Sequence, residues 1–288
     1  LTTLKDLKSL AESGSVDDQF ELAKCYNSGE GVARNPDEAF RWFKKAAENG
    51  HLKAQYNVGV MCISGQPLPK DERAGVEWIR RSAENGLDRA QSTLGVFYFE
   101  GQGVDKNVDL AKQWMQRAAN QGLAEAQRNL AGVLHKTGGE SASAQAEAVA
   151  LWSKAANQGD SDAQFNLGMI YQHGKAGVKV CHTTALRWYS AAADQGQPAA
   201  QFNMGVLYQK GIGVTQDLSK AKLFWEKSAN QGFGQAQASL GVMYENGDGV
   251  KKDTKLALKY FDMAVANGFT GAAAYRDKLK KKRFSWFS

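Results

Sequence analysis

One phrase recurs along this chain at a nearly fixed interval, and it limits the fold more than any other feature. It reads most fully as Ala200-Gln201-Phe202-Asn203-Met204-Gly205-Val206-Leu207-Tyr208-Gln209-Lys210-Gly211. The same letters return at Ala163-Gln164-Phe165-Asn166-Leu167-Gly168-Met169-Ile170-Tyr171. Shorter echoes begin at Ala54-Gln55, Ala90-Gln91, Ala126-Gln127 and Ala236-Gln237. A run of small residues closes each unit at Gly50, Gly86, Gly122, Gly159, Gly196, Gly232 and Gly268, in steps of 36 or 37 residues. Repetition at such a period is the mark of an array of identical supersecondary units.

Each unit holds two apolar patterns of helical period, helix A and helix B. In helix A the stripe Ala200, Met204, Tyr208 and its equivalents runs at i, i+4, i+8 along one face. A glycine recurs inside helix A at Gly59, Gly95, Gly168, Gly205 and Gly241. It lowers intrinsic helix stability by about 1 kcal/mol relative to Ala, so its repetition predicts a neighbouring helix too close for a Cβ. Helix B carries a bulky pair and then two small residues, as in Trp42-Phe43 with Ala46-Ala47 and Phe224-Trp225 with Ser228-Ala229. The closing Asn-Gly or Gln-Gly is a helix stop. Between A and B lies Gly-x-Gly-Val, at Gly29/Gly31, Gly101/Gly103, Gly211/Gly213 and Gly247/Gly249. These loops follow a helix rather than a strand and recur in most units, so they read as turns rather than phosphate cradles.

The Ala-Gln-x-x-Leu-Gly-x-x-Tyr phrase, the Gly-x-Gly-Val loop and the Trp-Tyr-x-x-Ala-Ala ending resemble the Sel-1-like repeats, relatives of the tetratricopeptide repeats. The resemblance covers essentially the whole chain. It implies an all-α fold, an α/α right-handed superhelical solenoid, that scaffolds protein complexes. It also implies roles as a bacterial effector, an envelope-assembly or host-interaction factor, or an endoplasmic-reticulum adaptor, with a secreted or periplasmic site favoured.

The expected organisation is one solenoid. Residues 1–14 match the end of a helix B; full repeats span 15–50, 51–86, 87–122, 123–159, 160–196, 197–232 and 233–268; residues 269–288 form a capping helix and basic tail. The first residue is Leu rather than Met, which suggests a fragment or a processed form. The second unit departs from pattern, with Cys62 at the Tyr place and Gly75 at a helix-B Ala. The fourth is the weakest match: Ala131 and Leu134 take the Gly and Tyr places, and the loop runs Gly138-Gly139-Glu140-Ser141. A looser joint is expected there, testable by hydrogen exchange over 137–147. The fifth has an irregular loop from Lys175 to Thr184.

The formal charge is +6. From residue 276 onward six basic residues stand against Asp277, a net +5, which leaves +1 for the first 275. A basic surface for nucleic acid is therefore not indicated. The tail Lys280-Lys281-Lys282-Arg283-Phe284-Ser285-Trp286-Phe287 could touch anionic lipid or an acidic partner, but a solvated cap is the preferred reading. Cys25, Cys62 and Cys181 form no repeating pair; Cys25 and Cys62 read as buried small hydrophobes, and Cys181-His182, neighbours on a loop that point differently, do not read as a catalytic dyad or metal site. The four histidines fall in different units without zinc-ligand spacing, and nucleophile, base and oxyanion donors do not converge. No catalytic residue, metal or cofactor is assigned, and a monomer is expected.

In tetratricopeptide-like packing helix A lines the concave surface. The candidate binding row lies on it, off the apolar stripe: Asn57, Thr93, Asn129, Asn166, Asn203 and Ser239, with Glu21 in the first unit. Asn is a mediocre helix former, so its recurrence mid-helix invites explanation. Carboxamides that donate and accept suit the backbone of an extended partner segment; the alternative is that they bond neighbouring helices and fix the angle between units. The preceding position varies, and Tyr56, Arg128, Phe165 and Phe202 are candidate specificity contacts or inter-helix wedges. The uniform row Gln55, Gln91, Gln127, Gln164, Gln201, Gln237 reads as structural. The favoured function is a non-catalytic adaptor that binds a protein or peptide along helix A. The alternative is an inhibitor or immunity-type protein that blocks an enzyme through the irregular units.

Overall fold

The computed structural model describes residues 4–139 and 141–284. They form sixteen α-helices and no strand among the described residues. The chain divides into two compact units at Gly139/Glu140. The first holds α1 (Leu4–Glu12), α2 (Val16–Ser28), α3 (Pro36–Glu48), α4 (Leu52–Ser64), α5 (Glu72–Glu84), α6 (Asp88–Glu100), α7 (Val108–Asn120) and α8 (Ala124–Thr137). The second holds α9 (Ala142–Asn157), α10 (Ser161–His173), α11 (His182–Asp194), α12 (Pro198–Lys210), α13 (Leu218–Asn230), α14 (Gly234–Asn246), α15 (Thr254–Ala266) and α16 (Ala272–Phe284). Even-numbered helices from α2 to α14 are the A helices and odd-numbered ones from α3 to α15 the B helices. Within each unit every helix packs on the next in sequence. This is an all-α repeat fold.

The boundaries are chemically marked. Asn35, Asp71, Asn107, Asp217 and Asp253 sit just before their B helices, and each accepts the backbone N–H three residues on at 2.9–3.1 Å. Such a cap is worth about 1 kcal/mol over Ala. The same residues donate their own N–H to the carbonyl of the residue at the Tyr place of helix A, at 2.8–2.9 Å, which closes the A–B turn. In α11 this place is held by Cys181, which gives no side-chain cap. The fourth repeat is irregular here too. Helix α8 ends at Gly138 in the right-handed region rather than in a left-handed cap, and α9 runs to 16 residues.

Close approach of A and B explains the buried helical glycines. A Cβ on Gly205 would stand 2.4 Å from the Trp225 ring, and one on Gly59 would stand 2.5 Å from Ile79 and 2.7 Å from the Gly75 carbonyl. Gly75 is thus no irregularity without cause. Its own Cβ would meet Ile63 and the Gly59 carbonyl, so α4 and α5 touch glycine to glycine. The second member of each bulky pair fills the core. Tyr189, Trp225 and Phe261 are among the largest fully buried side chains. Each such ring contributes about 1.5–3 kcal/mol by leaving water. The first member is mostly half-buried, and Trp78 and Trp114 lean on the cluster of the preceding repeat. Cys62 is buried as expected, Cys25 only half-buried, and all three cysteines are free thiols.

The glutamine row locks one repeat to the next. Gln19, Gln55, Gln91, Gln127, Gln164, Gln201 and Gln237 are buried, and each donates Nε2 to the backbone carbonyl eight residues earlier, at 3.0–3.3 Å. That carbonyl belongs to the last turn of the preceding helix, where it also accepts the N–H of the closing glycine at 3.0–3.3 Å. From the end of the B helix in the same repeat, Gln121, Gln195, Gln231 and Asn267 donate to the Oε1 of Gln91, Gln164, Gln201 and Gln237 at 2.8–3.0 Å. Ser82 and Ser228 replace the small-pair alanine and donate to the carbonyls of Leu52 and Pro198 at 2.8 Å. Helix α16 completes the second unit, with Ala272 and Leu279 buried against α15 residues.

Candidate partner-binding surface

All six residues of the polar row lie on A helices and are half-buried, three in each unit. Their environments differ. Asn57, Asn166 and Ser239 make no side-chain hydrogen bond among the described residues. Thr93 shares a 3.4 Å contact with the hydroxyl of Tyr56, one A helix away. Asn129 faces Arg128 at 3.5 Å, beyond a strong bond. Asn203 bonds the Tyr189 hydroxyl on α11, which also donates to Gln172 at 2.8 Å. Burial pushes the Tyr189 phenol well above its ordinary range, with the Asn203 bond opposing, so it stays neutral and can donate.

The variable position before this row turns toward the neighbouring B helix or the next repeat. Tyr56 packs on the α5–α6 cluster, Phe165 on the α11–α12 cluster and Phe202 on the α13–α14 cluster. Phe165 tilts against Tyr189 at 5.8 Å and Phe202 against Phe233 at 5.5 Å. These rings are half-buried wedges that keep one edge toward solvent. Ser92 at the same place is fully buried.

A second row escaped the sequence reading. Three residues beyond the polar row stand Val60, Val96, Gly132, Met169, Val206 and Val242. None of the six is buried, and Val60 is 41% exposed. The i, i+3 spacing that puts both rows on one helical face is present in the sequence, but the buried stripe dominates its periodic signal.

At the first A helix this face has a hollow of about 400 Å³, lined by Phe20, Glu21, His51, Lys53 and Leu87 among others. His51 stacks on Phe20 at 4.2 Å between centroids, and its Nδ1 accepts the Ala54 N–H at 3.1 Å. That bond requires a neutral ring. Burial, assisted by Lys53, holds the His51 pKa below its ordinary value against the opposing pull of Asp17 and Glu21. Cys181 lies on another loop; bonds from Thr183 and Thr184 draw its thiol down to about 7. His182, beside it in sequence, is the first residue of α11. No group of three or more metal-ligating side chains occurs among the described residues, and no described helix is long and apolar enough to cross a membrane. The basic tail beyond residue 284 lies outside the described residues.

The Sel1 repeat family model matches seven times, at residues 16–51, 52–87, 88–123, 124–160, 161–197, 198–233 and 234–269. The chain belongs to the Sel1 repeat family. Members of that family generally mediate protein–protein interaction as non-catalytic scaffolds. The Sel1 chain is similar to c5321, a protective antigen of uropathogenic Escherichia coli strains with an SLR fold, at 31% identity and a TM-score of 0.85. That match covers 97% of this chain and 59% of c5321, so the chain spans about three-fifths of that protein's length. It is similar to a Sel1 repeat protein of Oxalobacter formigenes at 31% identity and a TM-score of 0.78, covering 96% of this chain and 79% of the other. The immunity protein PA5088 of Pseudomonas aeruginosa shares the fold alone, at 19% identity and a TM-score of 0.50, over 75% of this chain and 81% of that one. A comparison with the curated proteins finds no match.

Proposed function

We propose that this Sel1 chain is a non-catalytic adaptor that holds extended segments of a partner protein along the A helices of each compact unit. The observation that carries the reading is the repeated pair of rows: half-buried polar side chains without internal partners at Asn57, Asn166 and Ser239, flanked three residues on by Val60, Met169 and Val242. A carboxamide can donate to a backbone carbonyl and accept a backbone N–H at once. The neighbouring aliphatics give apolar area to the side chains of the same segment. Thr93 and Asn203 enter the proposal as residues that space adjacent helices, because each already has a partner.

A random decapeptide library panned against the full chain, followed by affinity measurement on the enriched sequences, tests this. Asn57→Ala or Asn166→Ala should weaken binding about tenfold, the loss expected when one or two hydrogen bonds at a half-buried site are removed. Asn203→Ala should change stability more than affinity. Failure to enrich any peptide, or equal affinity in the Asn57 and Asn166 variants, would remove the A-helix rows from the argument.

A further inference from the structure

A different face of the first unit carries a polar hollow of about 680 Å³. Arg73 and Arg80 reach it from α5, Tyr98 from α6, and Lys106 and Leu110 from the loop and first turns of α7. A second hollow of about 610 Å³ shares Arg73 and Gly103 with it and continues to Lys70. The two make one continuous trough along the α5 end of the repeat.

The charges around the trough fall into two groups. Most have internal work. Asp71 caps α5 through the Ala74 N–H at 2.9 Å, and Glu72 pairs with Lys70 at 2.8 Å. Glu77 is shared by Arg80 at 3.3 Å and Arg81 at 3.4 Å. Arg80 also donates to the Tyr98 hydroxyl at 3.3 Å, so its guanidinium is held in place before any ligand arrives. Lys106 stands over the Phe99 ring at 5.7 Å. Arg73 is the exception. It is exposed and makes no ion pair or hydrogen bond among the described residues. In the larger hollow three cations face one carboxylate, Asp105.

The fold does not ask for Arg73. Helices α3, α5 and α7 have the same length and phase, and the equivalent residues are Asp37 and Asp109. In α11, α13 and α15 they are Thr183, Ser219 and Lys255, so the place takes an acid, a hydroxyl or a base. A cation in the first turn opposes the helix dipole, whereas the aspartates of the neighbouring repeats favour it. A residue that works against its own helix and has no internal partner is available for an external one.

We infer that this trough binds an acidic, extended segment of a partner protein, with its carboxylates on Arg73 and Arg80. Planar guanidinium groups match carboxylates in two-point bonds. Leu110 and the Tyr98 ring offer an apolar floor to the intervening residues. Hollows of about 680 and 610 Å³ are larger than one small anion fills. Asp105 and Glu72 at its edge oppose a doubly charged phosphate more than a singly charged carboxylate.

The test uses the full chain and a fluorescein-labelled decapeptide of alternating Glu and Leu, read by anisotropy at about 50 mM salt, where surface charges are weakly screened. Saturable binding is expected. It should weaken about tenfold in Arg73→Glu and less in Arg80→Gln, through loss of charge-assisted bonds. It should be unchanged in Lys210→Glu, an equal charge change on an exposed residue of the other unit. Asn57→Ala should also leave it unchanged, which separates this site from the A-helix rows. Absence of saturable binding, an Arg73→Glu variant that binds as tightly as the parent, or an equal loss in Lys210→Glu overturns the assignment. Displacement by inorganic phosphate beyond that by chloride at matched ionic strength overturns the acidic-peptide reading in favour of a phosphate site.

Discussion

The first two repeats contain a repairable defect, and its repair can be worked out from their neighbours. Gln91 and Gln201 have both ends of their buried carboxamides satisfied. Nε2 donates to the preceding B helix, and Oε1 accepts from Gln121 or Gln231 at 2.9 Å. The same Gln121 and Gln231 also donate to the carbonyls of Gly86 and Gly196, at 3.0 and 2.8 Å. In the first two repeats the donor is one methylene shorter. Asn49 and Asn85 turn back to the carbonyls of Lys45 and Arg81 in their own helices, at 2.9 and 2.8 Å. The Oε1 atoms of Gln19 and Gln55 are left buried without a hydrogen-bond partner. Asn85→Gln should supply one to Gln55. The net gain of an intramolecular hydrogen bond is about 1 kcal/mol, and relief of an unsatisfied buried acceptor can raise it toward about 3. The substituted side chain lies at a helix end with ordinary backbone angles, so no strain opposes it.

In a repeat array stability is local, so native-state hydrogen exchange is the appropriate assay. A gain of 1 kcal/mol slows the most protected α4 and α5 amides about fivefold. Gln121→Asn should do the reverse in α6 and α7. Exchange rates in α4 and α5 that stay the same or rise in Asn85→Gln would refute the reasoning. Asn267, which reaches Gln237 at 3.0 Å while keeping its bond to Met263, shows how narrow the difference of reach is.

Three further outcomes are expected. Gly205→Ala should destabilise by about 1–3 kcal/mol, because its Cβ overlaps the Trp225 ring, whereas Gly132→Ala, with nothing within 4 Å, should stabilise by about 1 kcal/mol; opposite shifts in thermal midpoint check the pair. Cys181→Asp should add the cap that the other regular B helices have, raising stability by about 1 kcal/mol in urea titration. His51 is neutral when folded and its pKa is depressed there, so its contribution is complete above the unfolded value of about 6.5 and is lost as pH falls through the folded value. The thermal midpoint of the parent should therefore fall relative to His51→Asn as the pH drops below 6.5, and parallel curves would remove His51 from the acid response.

The pattern of what was legible follows from what a period can encode. Helix pairs, caps, close-approach glycines and the glutamine seam recur because every joint between repeats poses the same physical problem, and the solution is written each time in the same letter. The polar row shows where this fails. Asn57, Asn166 and Asn203 are the same letter at the same place, yet one of them differs in its partner. Fourteen residues before each, at the core-ring position of the B helix, stand Phe43, Trp152 and Tyr189. Only Tyr189 carries a hydroxyl, so Asn203 is drawn into the joint while Asn57 and Asn166 stay uncommitted. Whether a row residue is mortar or contact is decided by a ring in another helix, which inspection of the row alone cannot reveal. Arg73 gives the converse. Its position varies from repeat to repeat, from Asp37 and Asp109 through Thr183 and Ser219 to Lys255, so no period singles it out, and only the missing internal partner marks it as a residue the array itself does not use.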